Sequence, residues 1–136
     1  MTMPTEKTEV TDHELKKVIS DFLEMGHVDN IVAMFRSDPQ YYEWTGELLD
    51  DERFNVRLGL SVLFEELKTL QPENLPLAIP SLVHALSSDE PLIRGEAVSL
   101  LGIVGTDIAL HHIKNIQNDT NPQVREIVQI VLEEKR

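Results

Sequence analysis

Apolar residues recur three and four positions apart over most of this chain, which is the spacing of amphipathic helices. The first such segment begins after Thr11, where a Thr-x-x-Glu sequence has the form of a capping box, and it stops at Gly26. The pattern predicts an all-α fold of eight helices. Their expected bounds are residues 12–25, 29–36, 39–50, 55–69, 75–87, 91–104, 107–117 and 122–134.

The apolar pattern also repeats along the chain. A shift of 31 positions places Pro91 on Pro122 and Arg94 on Arg125, and the apolar positions around them coincide. A shift of 37 places Arg57 on Arg94, with six extra residues confined to one turn. Each copy is a pair of helices, so the eight helices are expected to form four antiparallel hairpins. One such pair cannot bury its apolar faces alone, and stacking of the pairs closes the core.

The chain of 136 residues suits one domain. Residues 1–10 are polar and aperiodic and predict a flexible N-terminal tail, while 11–136 are expected to form a single helical-repeat domain. Its predicted parts are an irregular cap hairpin at 11–37 and repeats at 38–70, 75–105 and 106–135.

The recurring motif resembles HEAT repeats, in particular the short kind known as PBS-lyase HEAT-like repeats, and the likeness covers residues 38–135. One copy reads Asp89-x-Pro91-x-Ile93-Arg94-x-x-Ala97-x-x-Leu100-Leu101-Gly102. Phe54 stands where the other copies have proline, and residues 12–36 depart from the pattern. The resemblance implies an α-solenoid, a right-handed superhelix with the second helix of each pair on the concave side.

Proteins of this kind mostly act as scaffolds or adaptors, so the resemblance implies a non-enzymatic protein that binds a partner protein on its concave face. Some relatives are lyases or hydroxylases, and the alternative is an enzyme component that handles a cofactor or a modified residue. Fold alone does not choose between the two.

The exposed ridge of the second helices supplies the candidate partner-binding residues, and Gly59 and Gly95 are expected on the same ridge. These candidates are Leu58, Val62, Glu66, Glu96, Ser99, Ile103, Ile127 and Ile130. Tyr41 and Trp44 are two further candidates, as an exposed aromatic anchor. The other interpretation of these aromatics, which we favour, is a cap that packs the first hairpin onto the repeats.

The net charge of -12, from 24 acidic and 12 basic residues, opposes binding to nucleic acid or to an anionic membrane surface. It favours a basic protein partner. The chain has no cysteine and no apolar run long enough to cross a membrane, which predicts a soluble cytoplasmic protein.

No residue pattern predicts catalysis, a cofactor or a metal site. The five histidines include a single His-Glu dipeptide, His13-Glu14, whereas hydroxylases of this repeat class use several. Arg57, Arg94 and Arg125 could form a basic ladder for an anionic ligand, but bidentate ties to carboxylates between repeats are the favoured interpretation.

The last helix carries more apolar residues than one neighbouring hairpin should cover. Ile130 and Leu132 widen its apolar stripe, whereas the final unit of a stack needs a polar outer face. This pattern predicts a homodimer through the C-terminal helix.

Overall fold

The computed structural model describes residues 10–135, and every regular element in that range is helical. The α-helices are α1 Asp12–Glu24, α2 Val28–Ser37, α3 Thr45–Leu49, α4 Phe54–Leu70, α5 Ile79–Ala85, α6 Pro91–Val104, α7 Asp107–Lys114 and α8 Pro122–Glu134. Short 3₁₀ helices, Pro39–Trp44 and Leu75–Ala78, precede α3 and α5. The prediction of an all-α fold is confirmed. The tail predicted at 1–10 falls outside the described residues, except for its last residue.

Threonine side chains cap the starts of α1, where the sequence predicts it, and of α7. The hydroxyl of Thr11 accepts a hydrogen bond from the amide of Glu14 at 3.1 Å, and Thr106 caps α7 through the amide of Ala109 at 3.2 Å. Gly26 follows α1 with a φ of 82°, a left-handed conformation that suits glycine.

The third and fifth predicted helices differ from the expected single α-helices. Residues 39–50 and 75–87 each begin as 3₁₀ helix and continue as a shorter α-helix. In the second case Pro80 lacks an amide hydrogen, and its ring would clash with the carbonyl of Pro76 in a continuous α-helix. The α-helical segment therefore starts only at Ile79.

The helices pack side by side, in one row of four and one adjacent pair. Helix α2 contacts α4, α4 contacts α6 and α6 contacts α8, while α3 contacts α5 beside them. The helices within each predicted hairpin also contact each other. Buried side chains from all eight helices join in one core built mainly of leucine, isoleucine and valine.

Glycines let neighbouring helices approach closely. A Cβ at Gly95 would lie 2.8 Å from Cδ1 of Ile127, and one at Gly102 would lie 2.6 Å from Cγ1 of Val131. Gly59 likewise lies against Leu23 of α1. The prediction that Gly59 and Gly95 belong to an exposed ridge is wrong, because both are buried where two helices touch.

Three turns of the chain share the same hydrogen bonds. In each, an arginine Nη1 donates to the carbonyl oxygen six residues earlier, and the side chain of that earlier residue accepts from the amide two residues after it. The arginine bonds join Arg57 to Asp51 at 2.7 Å, Arg94 to Ser88 at 2.9 Å and Arg125 to Asp119 at 2.6 Å. The amide bonds join Arg53 to Asp51, Glu90 to Ser88 and Asn121 to Asp119, at 2.9, 3.1 and 2.9 Å. The turns therefore repeat in the register that the sequence shifts predict.

A carboxylate tie between neighbouring hairpins occurs at one of the three arginines. Nε and Nη2 of Arg94 each donate to the carboxylate of Asp119 at 2.9 Å, and both side chains are largely buried. The predicted bidentate tie is confirmed for Arg94. Among the described residues no carboxylate bonds to Arg57 or Arg125, so the prediction is wrong for these two.

The contact between α3 and α5 depends on Gly46. Its amide donates to the hydroxyl of Ser81 at 2.7 Å, which places the two backbones close together. A Cβ on Gly46 would lie 2.6 Å from that hydroxyl oxygen and would also collide with the Ser81 carbonyl oxygen. The rigid carbonyl cannot turn away, so a side chain at this position must push the helices apart.

We expect Gly46→Ala to lower the free energy of unfolding by about 3 kcal/mol, because the added methyl overpacks a backbone contact. The measurement is urea unfolding followed by circular dichroism. Gly26→Ala is the matched control, since its Cβ meets nothing within 4 Å and only the positive φ opposes it. A Gly46→Ala protein as stable as the Gly26→Ala protein would contradict this account.

The Arg94–Asp119 pair makes stability depend on pH. Its hydrogen bonds to Arg94 hold the pKa of the Asp119 carboxyl below its ordinary value. A carboxyl with a lowered folded-state pKa adds stability that is present above the unfolded pKa of about 4 and is lost as the pH falls below it.

We therefore expect Asp119→Asn to destabilise the protein by about 1–3 kcal/mol at pH 7, since Arg94 loses its charged partner. The asparagine retains an oxygen for the amide of Asn121. Urea unfolding of both proteins should give a constant difference between pH 7 and 5 and a smaller one at pH 3. A difference that is unchanged at pH 3 would show that the charge of Asp119 is not the cause.

Candidate functional site

Helices α4, α6 and α8 hold eight of the predicted partner-binding residues. Leu58 and Val62 lie one turn apart on α4 and are 49% and 43% exposed. Glu66 continues this side of α4, and Ile130 is exposed on α8. The half-buried candidates on α6 and α8 are Glu96, Ser99, Ile103 and Ile127. The predicted ridge thus has apolar side chains in contact with water.

The C-terminal halves of these three helices border an open cleft of about 430 Å³. Ser99 and Ile103 line it, so the structure brings these two predicted residues together. Its charged lining consists of Glu65, Lys68, Glu134 and Lys135, which the sequence interpretation did not include. Helical spacing alone could have added Glu65, because it follows Val62 by three positions and Leu58 by seven and so shares their face of α4.

Glu96 is the acidic residue of α6 on this ridge. Its partial burial raises the pKa of its carboxyl, and the positive charge of Arg57 opposes that rise. Partial desolvation strengthens the interaction of this carboxylate with any cation that approaches it. Glu96 is therefore suited to recognise a positive charge.

The aromatic residues before α3 pack inward. Trp44 is only 8% exposed, and its ring meets the half-buried ring of Tyr41 edge to face at 5.0 Å. Nζ of Lys16 lies 5.0 Å from the Trp44 ring centroid and joins α1 to this cluster. Tyr42 is fully buried and donates to Oε1 of Gln71 at 2.7 Å, and burial raises its pKa to about 12. These contacts agree with the cap interpretation, since a buried tryptophan is not an exposed anchor.

The outer side of α8 is mostly polar. Leu132 packs against the core, whereas Ile130 stays exposed. A neighbouring cleft of about 400 Å³ is lined by Leu132 together with polar side chains, among them Gln117, Gln129 and Glu133. The homodimer through this helix stays a prediction.

The described part of the chain contains neither a cluster of metal ligands nor a membrane-spanning helix. No group of three histidine, aspartate or glutamate residues in it could hold a metal ion. None of its helices has the length and apolarity that a membrane span needs.

No family model, curated protein or solved structure matches the sequence. The geometry of the helices and turns is therefore the basis for a functional proposal.

Proposed function

We propose that the protein is a non-enzymatic scaffold that binds another protein on the surface formed by α4, α6 and α8. The observation that carries this proposal is the exposed pair Leu58 and Val62 on α4, the helix whose C-terminal half borders the cleft that Ile103 lines. Neighbouring helices that present apolar side chains next to acidic ones offer the mixed contacts of a protein interface.

We also propose that the helices form a HEAT-like solenoid. The succession of α2, α4, α6 and α8, and the three turns with the same arginine bonds, support this architecture. In such an array the surface of successive second helices is continuous and concave, which gives a partner a broad area to bind. The proposed partner surface would then be the inner side of the array.

The proposed partner is basic. Three glutamates, Glu65, Glu66 and Glu96, lie on the α4 and α6 part of the surface against one lysine, Lys68. The whole chain carries a net charge of -12. Opposite charge accelerates encounter and selects orientation more than it adds affinity. The apolar side chains would then supply most of the affinity.

The test compares two double variants as baits for proteins from native lysate. Leu58→Ser with Val62→Ser removes the apolar part of the proposed surface. Leu77→Ser with Ile108→Ser removes exposed apolar side chains from the other helices and is the matched control. We expect the first variant to lose at least about tenfold of its affinity for the specifically bound partner, because removing two apolar side chains that become buried on binding costs about 1.5 kcal/mol or more in total.

Binding of the same partner should also weaken with rising salt, and Glu66→Lys with Glu96→Lys should lower its association rate. Circular dichroism of each variant confirms that the helices remain. If the partner binds the Leu58 and Val62 variant as well as the unchanged protein, and is lost from the control variant, the proposed surface is wrong.

A further inference from the structure

Arg57 is a buried arginine, and one buried nitrogen of its side chain has no hydrogen-bond partner among the described residues. The residue is 8% exposed, and its Nη1 donates to the carbonyl oxygen of Asp51 at 2.7 Å. Its Nε is buried and has no hydrogen-bond partner in the described structure. Buried donors are nearly always paired, since an unpaired one loses its bond to water without replacement.

Arg94, the corresponding arginine of the next repeat, shows which kind of group can accept a hydrogen bond from this Nε. Arg94 makes the same bond to a turn carbonyl, but its Nε and Nη2 also donate to the carboxylate of Asp119 in the following turn. In the turn that follows Arg57, the residue equivalent to Asp119 is Ser88. Its hydroxyl accepts from the amide of Glu90 at 3.1 Å, as Asp119 accepts from Asn121. A neutral hydroxyl thus occupies the place from which an anion reaches the arginine one repeat later.

Arg57 and Ser88 line two neighbouring clefts. Arg57 lines a cleft of about 440 Å³ together with Glu90 and Ile93. Asp50 and Ile93 also line the neighbouring cleft of about 500 Å³, which includes Ser88. Ser88 is half-buried in the loop between α5 and α6, outside any helix. A modifying enzyme can therefore reach its hydroxyl more easily than one within a packed helix.

We propose that Ser88 is a phosphorylation site and that its phosphate closes the open side of Arg57. A protein kinase would transfer the γ-phosphoryl group of a nucleoside triphosphate to the serine oxygen. The serine oxygen forms a bond to the γ-phosphorus as the bond from that phosphorus to the leaving nucleoside diphosphate breaks. A base of the kinase takes the hydroxyl proton. Asp89 and Glu90 follow the serine directly, which suits a kinase with a basic substrate groove.

A phosphate on Ser88 can accept hydrogen bonds from Arg57 and from the amide of Glu90 at the same time. Oδ1 of Asp119 accepts from Nη2 of Arg94 and from the amide of Asn121, each at 2.9 Å, so one anion at this position bonds the arginine and keeps the turn. A phosphate has three acceptor oxygens for the same two donors. Asp50, Glu52 and Glu90 oppose the new charge, but they are exposed and screened by salt, whereas the guanidinium is enclosed. Asp51 and Glu96 are half-buried acids that also act on Arg57, and the carboxylate of Asp51 is already paired with Arg53.

The experiment uses the full chain with phosphoserine encoded genetically at position 88. We expect its melting temperature to exceed that of the unmodified protein by about 3–5 °C, as a new charge-assisted tie should give in a domain of this size. Phosphatase should reverse the rise, and an Arg57→Gln background should abolish it. Ser88→Asp should show a smaller rise of the same kind relative to its neutral control, Ser88→Asn.

A second readout does not depend on how stable the Arg57→Gln variant is. Pairing with a guanidinium should lower the second pKa of the phosphate below its ordinary value of about 6, which ³¹P NMR measures directly. An unshifted phosphate titration, or a melting temperature that falls, would overturn closure of the arginine. Phosphopeptide mapping of the protein from its native cells should find phosphate on Ser88, and an unmodified Ser88 under all growth conditions would overturn the modification itself.

Discussion

The fold depends on a bond that an arginine makes to the turn before its own helix. Each of the three arginines reaches back to a carbonyl oxygen six residues earlier, and so joins the second helix of a hairpin to the turn that enters it. These carbonyls lie outside any helix, in the turn between the two helices of a hairpin, and a charged donor satisfies them strongly. The bond therefore ties the start of α4, of α6 and of α8 to the turn that precedes each helix.

The sequence predicted the helices well because local signals determine them. Apolar spacing, the capping hydroxyl of Thr11 and the glycine after α1 act over a few residues. Six of the eight predicted helices occur with small shifts of their ends, and the other two occur as mixed 3₁₀ and α segments. Sequence shifts also identified the repeated arginines. The signals for individual helices can be identified from the sequence because each involves only residues that are neighbours along the chain.

The errors came from contacts between distant parts of the chain. The glycines at 59 and 95 were placed on the surface, because spacing does not show that another helix lies against them. The mixed helix at residues 75–85 depends on the chemistry of Pro80, which the spacing of apolar residues does not show. The missing carboxylate beside Arg57 could have been noticed from Ser88, which breaks the run of aspartates at the equivalent turn positions 51 and 119, but only once the hydrogen bonds of Arg94 were known.

The glycines of α6 have a mechanical consequence for the array. Gly95 and Gly102 bring α6 and α8 into close contact along two turns, and Arg94 clamps the same junction with a buried ion pair. The junction between α4 and α6 has neither a glycine contact of this kind nor a charged clamp. We therefore expect the molecule to flex at the α4–α6 joint rather than at the α6–α8 joint, and the shape of the proposed partner surface would change there.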